Sequence, residues 1–294
     1  MTLVQHFAAY SQWRTQLAEN LEAFRACLAD QDLTDAQTDL RLTRLLDKLQ
    51  EDRLHVAFVA EFSRGKSELI NAIFFAGFGN RMLPSTAGRT TMCPTELLYD
   101  AERPPAIELL PIETRDTSTS IAEYRRISGA WTVVPLDTGS PDSMQEALRS
   151  VSAVQRVTPE IAKALGFTTG SDTPQTIGDD GLVEIPRWRH AVINFPHPLL
   201  QQGLVILDTP GLNAIGAEPE LTLSLLPEAN AVLFILAADA GVTQSDLAIW
   251  QEHIALPGRR KRGRLVVLNK IDSMWDELKS PAAVDAEIAG QVDA

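Results

Sequence analysis

A glycine, a lysine and a serine stand in that order where the chain is expected to change from strand to helix. Residues 54–59 are rich in β-branched and aromatic side chains, which is typical of a buried strand. The loop Ala60-Glu-Phe-Ser-Arg-Gly-Lys-Ser67 follows at once, and residues 69–74 carry an apolar helical face. Backbone N–H groups and the positive end of the helix dipole converge on an anion in such a turn. The segment therefore predicts a phosphate-binding loop.

The residues that end this loop have separate predicted roles in binding a nucleotide. Lys66 is predicted to bridge the β- and γ-phosphates, and the Ser67 hydroxyl is predicted to coordinate Mg²⁺. The backbone of Gly65 belongs to the same phosphate-binding loop. Glu68 lies beside it, but its carboxylate is expected to point away from the phosphates, because it suits a helix N-terminus and not an anion.

A second string, Asp208-Thr-Pro-Gly211, follows the apolar strand predicted at 204–207. Asp208 is predicted to hold Mg²⁺ through a water molecule, and the Gly211 N–H is predicted to meet the γ-phosphate. The string is a common turn by itself. Its position after a strand and downstream of a phosphate loop makes the functional interpretation strong.

A third string, Asn269-Lys270-Ile-Asp272, follows the strand predicted at 264–268. The Asp272 carboxylate can accept hydrogen bonds from guanine N1–H and from the exocyclic amine, which adenine does not offer. Asn269 is expected to brace the loop, and the stem of Lys270 to lie over the base. This string changes the prediction from a nucleoside triphosphatase to a GTPase.

The Mg²⁺-binding switch is expected between the phosphate-loop helix and the next strand. In the segment 83–95 either Thr90 or Thr91 could reach the metal with its hydroxyl. We choose Thr91, which has Pro94 three residues further on. Mg²⁺ is then predicted to be held by Ser67, Thr91 and Asp208.

These strings together resemble the GTPase domain of bacterial dynamin-like proteins. The resemblance covers roughly residues 52–280 and is tight at the motifs. Its most discriminating part is the switch, which reads Thr91-x-x-Pro-Thr-Glu96. Assembly GTPases of the ribosome and of tRNA modification share the second and third strings, at 208–211 and 269–272. They tend to carry Asn at the Ser63 position and Thr-Thr-Arg-Asp in the switch.

The resemblance implies a mechanochemical GTPase that dimerises through its nucleotide face and acts in membrane remodelling. Leu212 stands where many GTPases place a water-orienting Gln, so other groups must assist hydrolysis. By resemblance, Ser63 contacts the transferring phosphate or a charge-compensating monovalent cation, K⁺ or Na⁺, and is assigned to transition-state charge compensation. Arg64 either acts as an arginine finger in cis or shields phosphate or pairs with an acid. The predicted catalytic residues are Ser63, Arg64, Lys66 and Thr91. The predicted nucleotide-binding residues are Ser63, Arg64, Gly65, Lys66, Ser67, Glu68, Asp208, Gly211, Asn269, Lys270 and Asp272.

The expected fold class is α/β, a P-loop GTPase domain with a mostly parallel central sheet, preceded by an N-terminal α-helical pair. Residues 1–50 are assigned to the pair, because apolar residues recur there at steps of three and four. Residues 51–294 are assigned to a dynamin-type GTPase domain, incomplete at its C-terminal end. An insertion at about 101–187 contains three helix-like stretches, at 118–126, 143–154 and 158–165, and the third has Pro159 just inside a Thr158 cap. The role of the insertion is either functional or that of a flexible segment.

Charge and composition narrow the partners. A net charge of −13 disfavours nucleic acid as a partner, and two cysteines fit a reducing cytosol. The run 259–264 is basic, and it is interpreted as a solvated loop ahead of a buried strand, with phosphate or lipid head groups as the alternative. Without a run of 18 apolar residues, the protein is expected to be cytoplasmic or peripheral on the inner face of the cell membrane.

The expected partners are GTP or GDP, a second copy of the GTPase domain, and membrane lipid through regions absent from this chain. Two other classes stay open. One is a regulatory or assembly GTPase with a protein or ribosomal partner and no membrane role. The other is a nucleotide-binding scaffold that does not turn over.

Overall fold

The protein was analysed as a computed structural model, which describes residues 3–31, 33, 35–50, 53–61, 63–83, 93–127, 129–167, 178, 180–209, 226, 229–255, 263–275 and 279–293. The α-helices of these ranges are α1 Leu3–Asp30, α2 Ala36–Gln50, α3 Lys66–Phe74, α4 Ile121–Tyr124, α5 Pro141–Arg149, α6 Pro159–Ala164, α7 Gln244–Ile249 and α8 Pro281–Asp293. The strands are β1 Leu54–Ala60, β2 Thr95–Leu98, β3 Ala106–Pro111, β4 Thr132–Pro135, β5 Val154–Val157, β6 Val183–Pro186, β7 Trp188–Asn194, β8 Leu204–Asp208, β9 Ala231–Ala237 and β10 Gly263–Asn269.

An eight-stranded sheet in the order β10-β9-β1-β8-β2-β7-β3-β4 forms the centre of the fold. The strands β10, β9, β1 and β8 run parallel to one another, and β2 and β7 are also parallel. The pairs β2–β8, β3–β7 and β3–β4 are antiparallel. The predicted α/β class with a mostly parallel sheet is confirmed, and its parallel half contains every strand that leads into a predicted motif.

The direction of the strands brings the three motif-bearing loops to one edge of the sheet. The C-terminal ends of parallel strands meet at the same edge, which is where open α/β sheets bind ligands. Strand β2 runs the opposite way, so that its first residue, Thr95, pairs with Asp208 at the end of β8. The predicted switch segment therefore enters the sheet at this same edge.

Helices cover both faces of the central strands. Along β1, Val56 and Phe58 pack into the apolar cluster that contains Ile70 and Phe74 of α3. The alternate residues of β1, Ala57 and Val59, pack on the other face with Ile249 of α7. Burial on both faces explains why β1 is a continuous apolar run.

The predicted N-terminal helix pair is confirmed. Helix α2 starts after Asp35, whose Oδ1 accepts a hydrogen bond from the Thr38 N–H at 2.6 Å, so that Asp35 acts as the N-cap. Arg25 of α1 pairs with Asp39 of α2 at 2.7 Å, and Leu42 and Leu46 are buried. Within the described residues, no helix is long and apolar enough to cross a bilayer.

The insertion contributes strands as well as the three predicted helices. The three stretches correspond to α4, α5 and α6, although α5 begins two residues before its predicted stretch. Thr158 caps α6 with Pro159 just inside it, as the sequence predicts. The insertion also supplies β3 and β4, which extend the main sheet, and the separate pair β5–β6. These strands were not predicted.

One prediction about burial is wrong. The strand after the basic run was expected to be buried, but β10 is an edge strand that pairs only with β9 in the described part of the chain. Its adjacent residues Leu265 and Val266, which point to opposite faces, are 59% and 49% exposed. Apolar composition predicts a strand, but burial also requires neighbours that cover its faces.

Candidate nucleotide-binding site

The predicted phosphate loop contains two left-handed backbone conformations, which are a feature of turns that cradle anions. It connects the end of β1 to the start of α3 and contains two residues in the left-handed region, Ser63 with φ 60° and Gly65 with φ 84°. The serine conformation costs about 1–2 kcal/mol for a residue with a side chain. Strain of this kind occurs at ligand-binding sites, where the surrounding structure holds it in place.

Gly65 is required by space as well as by conformation. A Cβ atom at this position would lie 2.4 Å from Nδ2 of Asn269, far inside van der Waals contact. The Asn269 amide also donates a hydrogen bond to the Arg64 carbonyl oxygen at 2.9 Å. The loop 269–272, which is predicted to bind the base and is called the base loop below, therefore touches the phosphate loop directly. The predicted bracing role of Asn269 requires this contact.

Lys66 and Asp208 form a buried ion pair in this cradle. Their Nζ and Oδ1 atoms lie 2.6 Å apart, and the side chains are only 6% and 5% exposed. Neither atom has a hydrogen bond of good angle to another described residue. A buried ammonium and carboxylate in this arrangement are suited to exchange partners, phosphate for Lys66 and a hydrated cation for Asp208.

These residues fit a magnesium ion. The under-coordinated Asp208 oxygen is a hard ligand of the kind that Mg²⁺ prefers, and Ser67 lies buried in the first turn of α3. Glu68, by contrast, pairs with Arg81 at 3.2 Å near the surface. The two remaining predicted contacts of the γ-phosphate side, Thr91 and Gly211, lie outside the described residues.

Arg64 is held by acidic and hydroxyl groups. Its Nη2 donates to Glu61 Oε2 at 2.6 Å, to Asp246 Oδ2 at 2.7 Å and to Thr243 Oγ1 at 3.1 Å. In this arrangement the guanidinium is paired with two carboxylates, which matches the alternative in which Arg64 pairs with an acid. Its action as an arginine finger stays a prediction, and it requires these contacts to open.

The base loop presents its acidic residue to solvent. Lys270 has φ 58°, and its Nζ contacts Asp239 Oδ2 at 3.1 Å. The following 3₁₀ helix contains Asp272, which is exposed, and the Ser273 hydroxyl donates to the Lys270 carbonyl at 2.6 Å. The Asp272 carboxylate is thus accessible to an incoming base.

Hydrogen bonds fix the chain on both sides of the predicted switch. Before it, the buried Asn71 of α3 donates to the Leu83 carbonyl and accepts from the Leu83 N–H, at 3.0 and 2.8 Å. After it, Thr95 donates to the Cys93 carbonyl at 3.0 Å. The Thr209 hydroxyl similarly ties the end of β8 to the Phe58 carbonyl at 2.8 Å.

A buried carboxylate ends the predicted switch. Glu96 of β2 accepts a hydrogen bond from Arg125 and lies 3.0 Å from Nε2 of His190, which is fully buried. Burial by itself raises the pKa of Glu96, but the hydrogen bonds and charges of His190 and Arg125 lower that pKa to about 2. The cluster links the end of the switch to the insertion, which contains Arg125.

This pKa predicts an acid-dependent loss of stability. Because the folded-state pKa of Glu96 is lowered, its stabilisation is present above pH 4.5 and is lost as the pH falls towards 2. The shift corresponds to about 3 kcal/mol. We expect the difference in unfolding free energy between the wild type and Glu96→Gln, from denaturant titrations, to shrink steadily below pH 4.5. A difference that stays constant down to pH 3 would contradict this assignment.

Sequence reasoning missed the residues that hold Arg64 in place. Glu61, Thr243 and Asp246 were not assigned a role. The available signal was Thr243-x-x-Asp246, a capping-box pattern in which each side chain bonds the other residue's backbone, and the structure contains this box at the start of α7. That pattern predicts the helix start but does not predict its ion pair with Arg64.

A phosphate loop, a buried Lys–Asp pair and a base loop at the C-terminal edge of parallel strands define a P-loop nucleotide-binding protein. The family model for the dynamin family matches residues 56–271. The chain belongs to the dynamin family, a family of GTPases that bind GTP and GDP and generally use Mg²⁺.

Individual relatives agree with this membership. A bacterial dynamin-like protein of Nostoc punctiforme is 22% identical over 231 residues, which cover 79% of this chain and 26% of that protein. The isoniazid-induced protein IniA of Mycobacterium tuberculosis is 36% identical over 92 residues, 28% of this chain and 14% of IniA. The chain thus spans about a quarter or less of the length of these relatives.

A solved structure shows the same fold. It is described as an oligomerised bacterial dynamin pair that provides a mechanism for the long-range sensing and tethering of membranes. The TM-score is 0.51 at 18% identity, with 97% of this chain and 35% of that chain covered.

Proposed function

We propose that this protein binds GTP with Mg²⁺ and hydrolyses it as a dynamin-like mechanochemical GTPase. The observation that carries the proposal is the direct contact of two loops with different tasks. Asn269 of the guanine-type base loop donates to Arg64 of the phosphate loop at 2.9 Å, one residue before the Gly65-Lys66-Ser67 turn. One nucleotide that spans both loops would contact Asp272 with its base and Lys66 with its phosphates.

The residues of the cradle would divide the work as follows. The Lys66 ammonium leaves Asp208 and binds the β- and γ-phosphates, while Ser67, Thr91 and Asp208 hold the metal ion and its water. When bound, Mg²⁺ supplies positive charge that offsets the charge developing on the transferring phosphoryl group. Asp272 selects guanine, because a base without the matching donors would leave its carboxylate unpaired.

Replacement of Lys66 tests the activity itself. We expect Lys66→Ala to reduce phosphate release from GTP by about a thousandfold or more, since an ammonium that binds the transferring group is lost. The neighbouring Arg81→Ala, which removes only a largely exposed pair with Glu68, is the matched control and should retain activity. Equal phosphate release by the wild type and Lys66→Ala would refute the hydrolysis proposal.

We further propose that dimerisation through the nucleotide face assists hydrolysis. Ser63 is exposed on the loop in a strained conformation, a position from which it could bind K⁺ or Na⁺ beside the phosphates once a second copy covers the site. Leu212, which lies outside the described residues, offers no group that could orient water.

Dimer-assisted hydrolysis predicts a dependence on protein concentration. We expect phosphate release per molecule to rise with protein concentration in K⁺ or Na⁺ buffer, and Ser63→Ala to weaken that rise by about tenfold or more. A wild-type rate per molecule that stays constant over a hundredfold range of concentration, in either cation, would be the contrary result.

A membrane role rests on the family alone. The solved pair with the same fold is described as sensing and tethering membranes. We propose membrane remodelling for the whole protein, with lipid contacted by regions beyond this chain. Co-sedimentation of the full-length protein with anionic and neutral liposomes, with and without GTP, tests it, and absence from the liposome pellet in every condition would count against it.

A further inference from the structure

The ion cluster around Arg64 joins the phosphate loop to the start of helix α7. Asp246, at the start of α7, is completely buried, and its Oδ2 accepts from Arg64 Nη2 at 2.7 Å and from the Thr243 N–H at 3.0 Å. Arg64 and Asp246 are separated by 182 positions in sequence. A carboxylate without solvent has to be paired, so that this contact strongly favours one position of the arginine.

Glu61 closes the cluster from the other end of the loop. Its Oε2 accepts from Arg64 Nη2 at 2.6 Å and from the Thr243 hydroxyl at 3.2 Å, and its Oε1 accepts from the Ser245 hydroxyl. Glu61 begins the loop and Arg64 stands near its end. Their contact therefore closes the loop on itself, while Asp246 fixes it to a separate helix.

The backbone of Arg64 is fixed at the same time as its side chain. Its carbonyl oxygen accepts a hydrogen bond from the side-chain amide of Asn269, at the end of β10. Across a trans peptide bond the next N–H points the opposite way, so the Gly65 N–H is directed away from Asn269. With carbonyl and guanidinium both held, the direction of this N–H is set before any ligand arrives.

We infer that Asp246 and Glu61 are positioning residues, which hold Arg64 so that the phosphate loop keeps the shape that receives a nucleoside di- or triphosphate. This inference rests on the proposed function of the loop. It assigns Arg64 a structural anchor role in place of direct contact with the transferring phosphate. A misplacement of about 1 Å in an active site can cost about a hundredfold in rate, and the same loss of geometry in the phosphate loop should weaken nucleotide binding.

The test measures GDP affinity by calorimetry for the wild type, Asp246→Asn, Arg64→Met and the double variant. We expect each single variant to bind GDP at least about tenfold more weakly, and the double variant to bind no worse than the weaker single one, because the residues act as one unit. Glu61→Gln, at a less buried position, should show a smaller loss in the same direction. Glu146→Gln, which removes an exposed pair with Arg149, is the control and should bind as the wild type.

The outcomes separate this inference from the function on which it rests. If the wild type binds no GDP, the proposed function fails. If the wild type binds and folded Asp246→Asn binds within twofold of it, the positioning role is wrong. The role is also wrong if Arg64→Met keeps its GDP affinity and loses only turnover, since that is the behaviour of an arginine finger. Circular dichroism at the temperature of the titration establishes that each variant is folded.

Discussion

Asp272→Asn is expected to exchange guanine for xanthine as the preferred base. The Asp272 carboxylate is exposed beside the phosphate loop and would accept two hydrogen bonds from guanine. Each hydrogen bond to a charged group is worth about 1.5–3 kcal/mol, so their loss should weaken GDP binding by about a hundredfold or more. Xanthine carries a carbonyl in place of the exocyclic amine, and the asparagine amide can donate to it.

The same titration contains its own control. Calorimetry of Asp272→Asn with GDP and XDP should show the loss of the first and a gain of the second, and a gain proves that the variant is folded. Unchanged affinity for GDP would mean that this carboxylate does not contact the base. Loss of both nucleotides in a folded variant would mean that it acts on the loop and not on base recognition.

Gly65→Ala is expected to abolish nucleotide binding. The added Cβ would lie 2.4 Å from Asn269 Nδ2, and the backbone at φ 84° disfavours any side chain. The left-handed conformation alone costs about 1–2 kcal/mol, and relief of the clash must move Asn269 or the loop. We expect GDP affinity to fall by about a hundredfold or more.

Gly79→Ala separates the two causes. Gly79 also has a positive φ, 69°, but a Cβ there would meet nothing within 4 Å. It should lose about 1 kcal/mol of stability and bind GDP as the wild type does. If Gly65→Ala also binds GDP as the wild type does, the close approach of the two loops has no role in binding.

The sequence predicts the parts of this protein whose signals are local. A buried strand, a glycine turn and a helix face are encoded in one continuous stretch of neighbouring residues, so β1, the phosphate loop and α3 follow from residues 54–74. The N-cap of α6 at Thr158 is another example, because a capping residue followed directly by proline marks a helix start through two neighbouring residues.

Other features depend on which segments become neighbours. The anchor between Arg64 and Asp246 and the pair of Glu96 with His190 join residues 182 and 94 positions apart. The exposure of β10 depends on what lies beside it. The strands β4, β5 and β6 have four residues each, too few for a clear period-two pattern, so neither the outermost strand of the main sheet nor the separate β5–β6 pair was predicted.

The most direct measurement is calorimetric titration of the protein with GDP and, separately, with ADP in the presence of Mg²⁺. The account predicts that GDP binds and that ADP binds at least about a thousandfold more weakly, because adenine leaves the Asp272 carboxylate without its two donors. Equal affinity for the two nucleotides, or no binding of either, would contradict it.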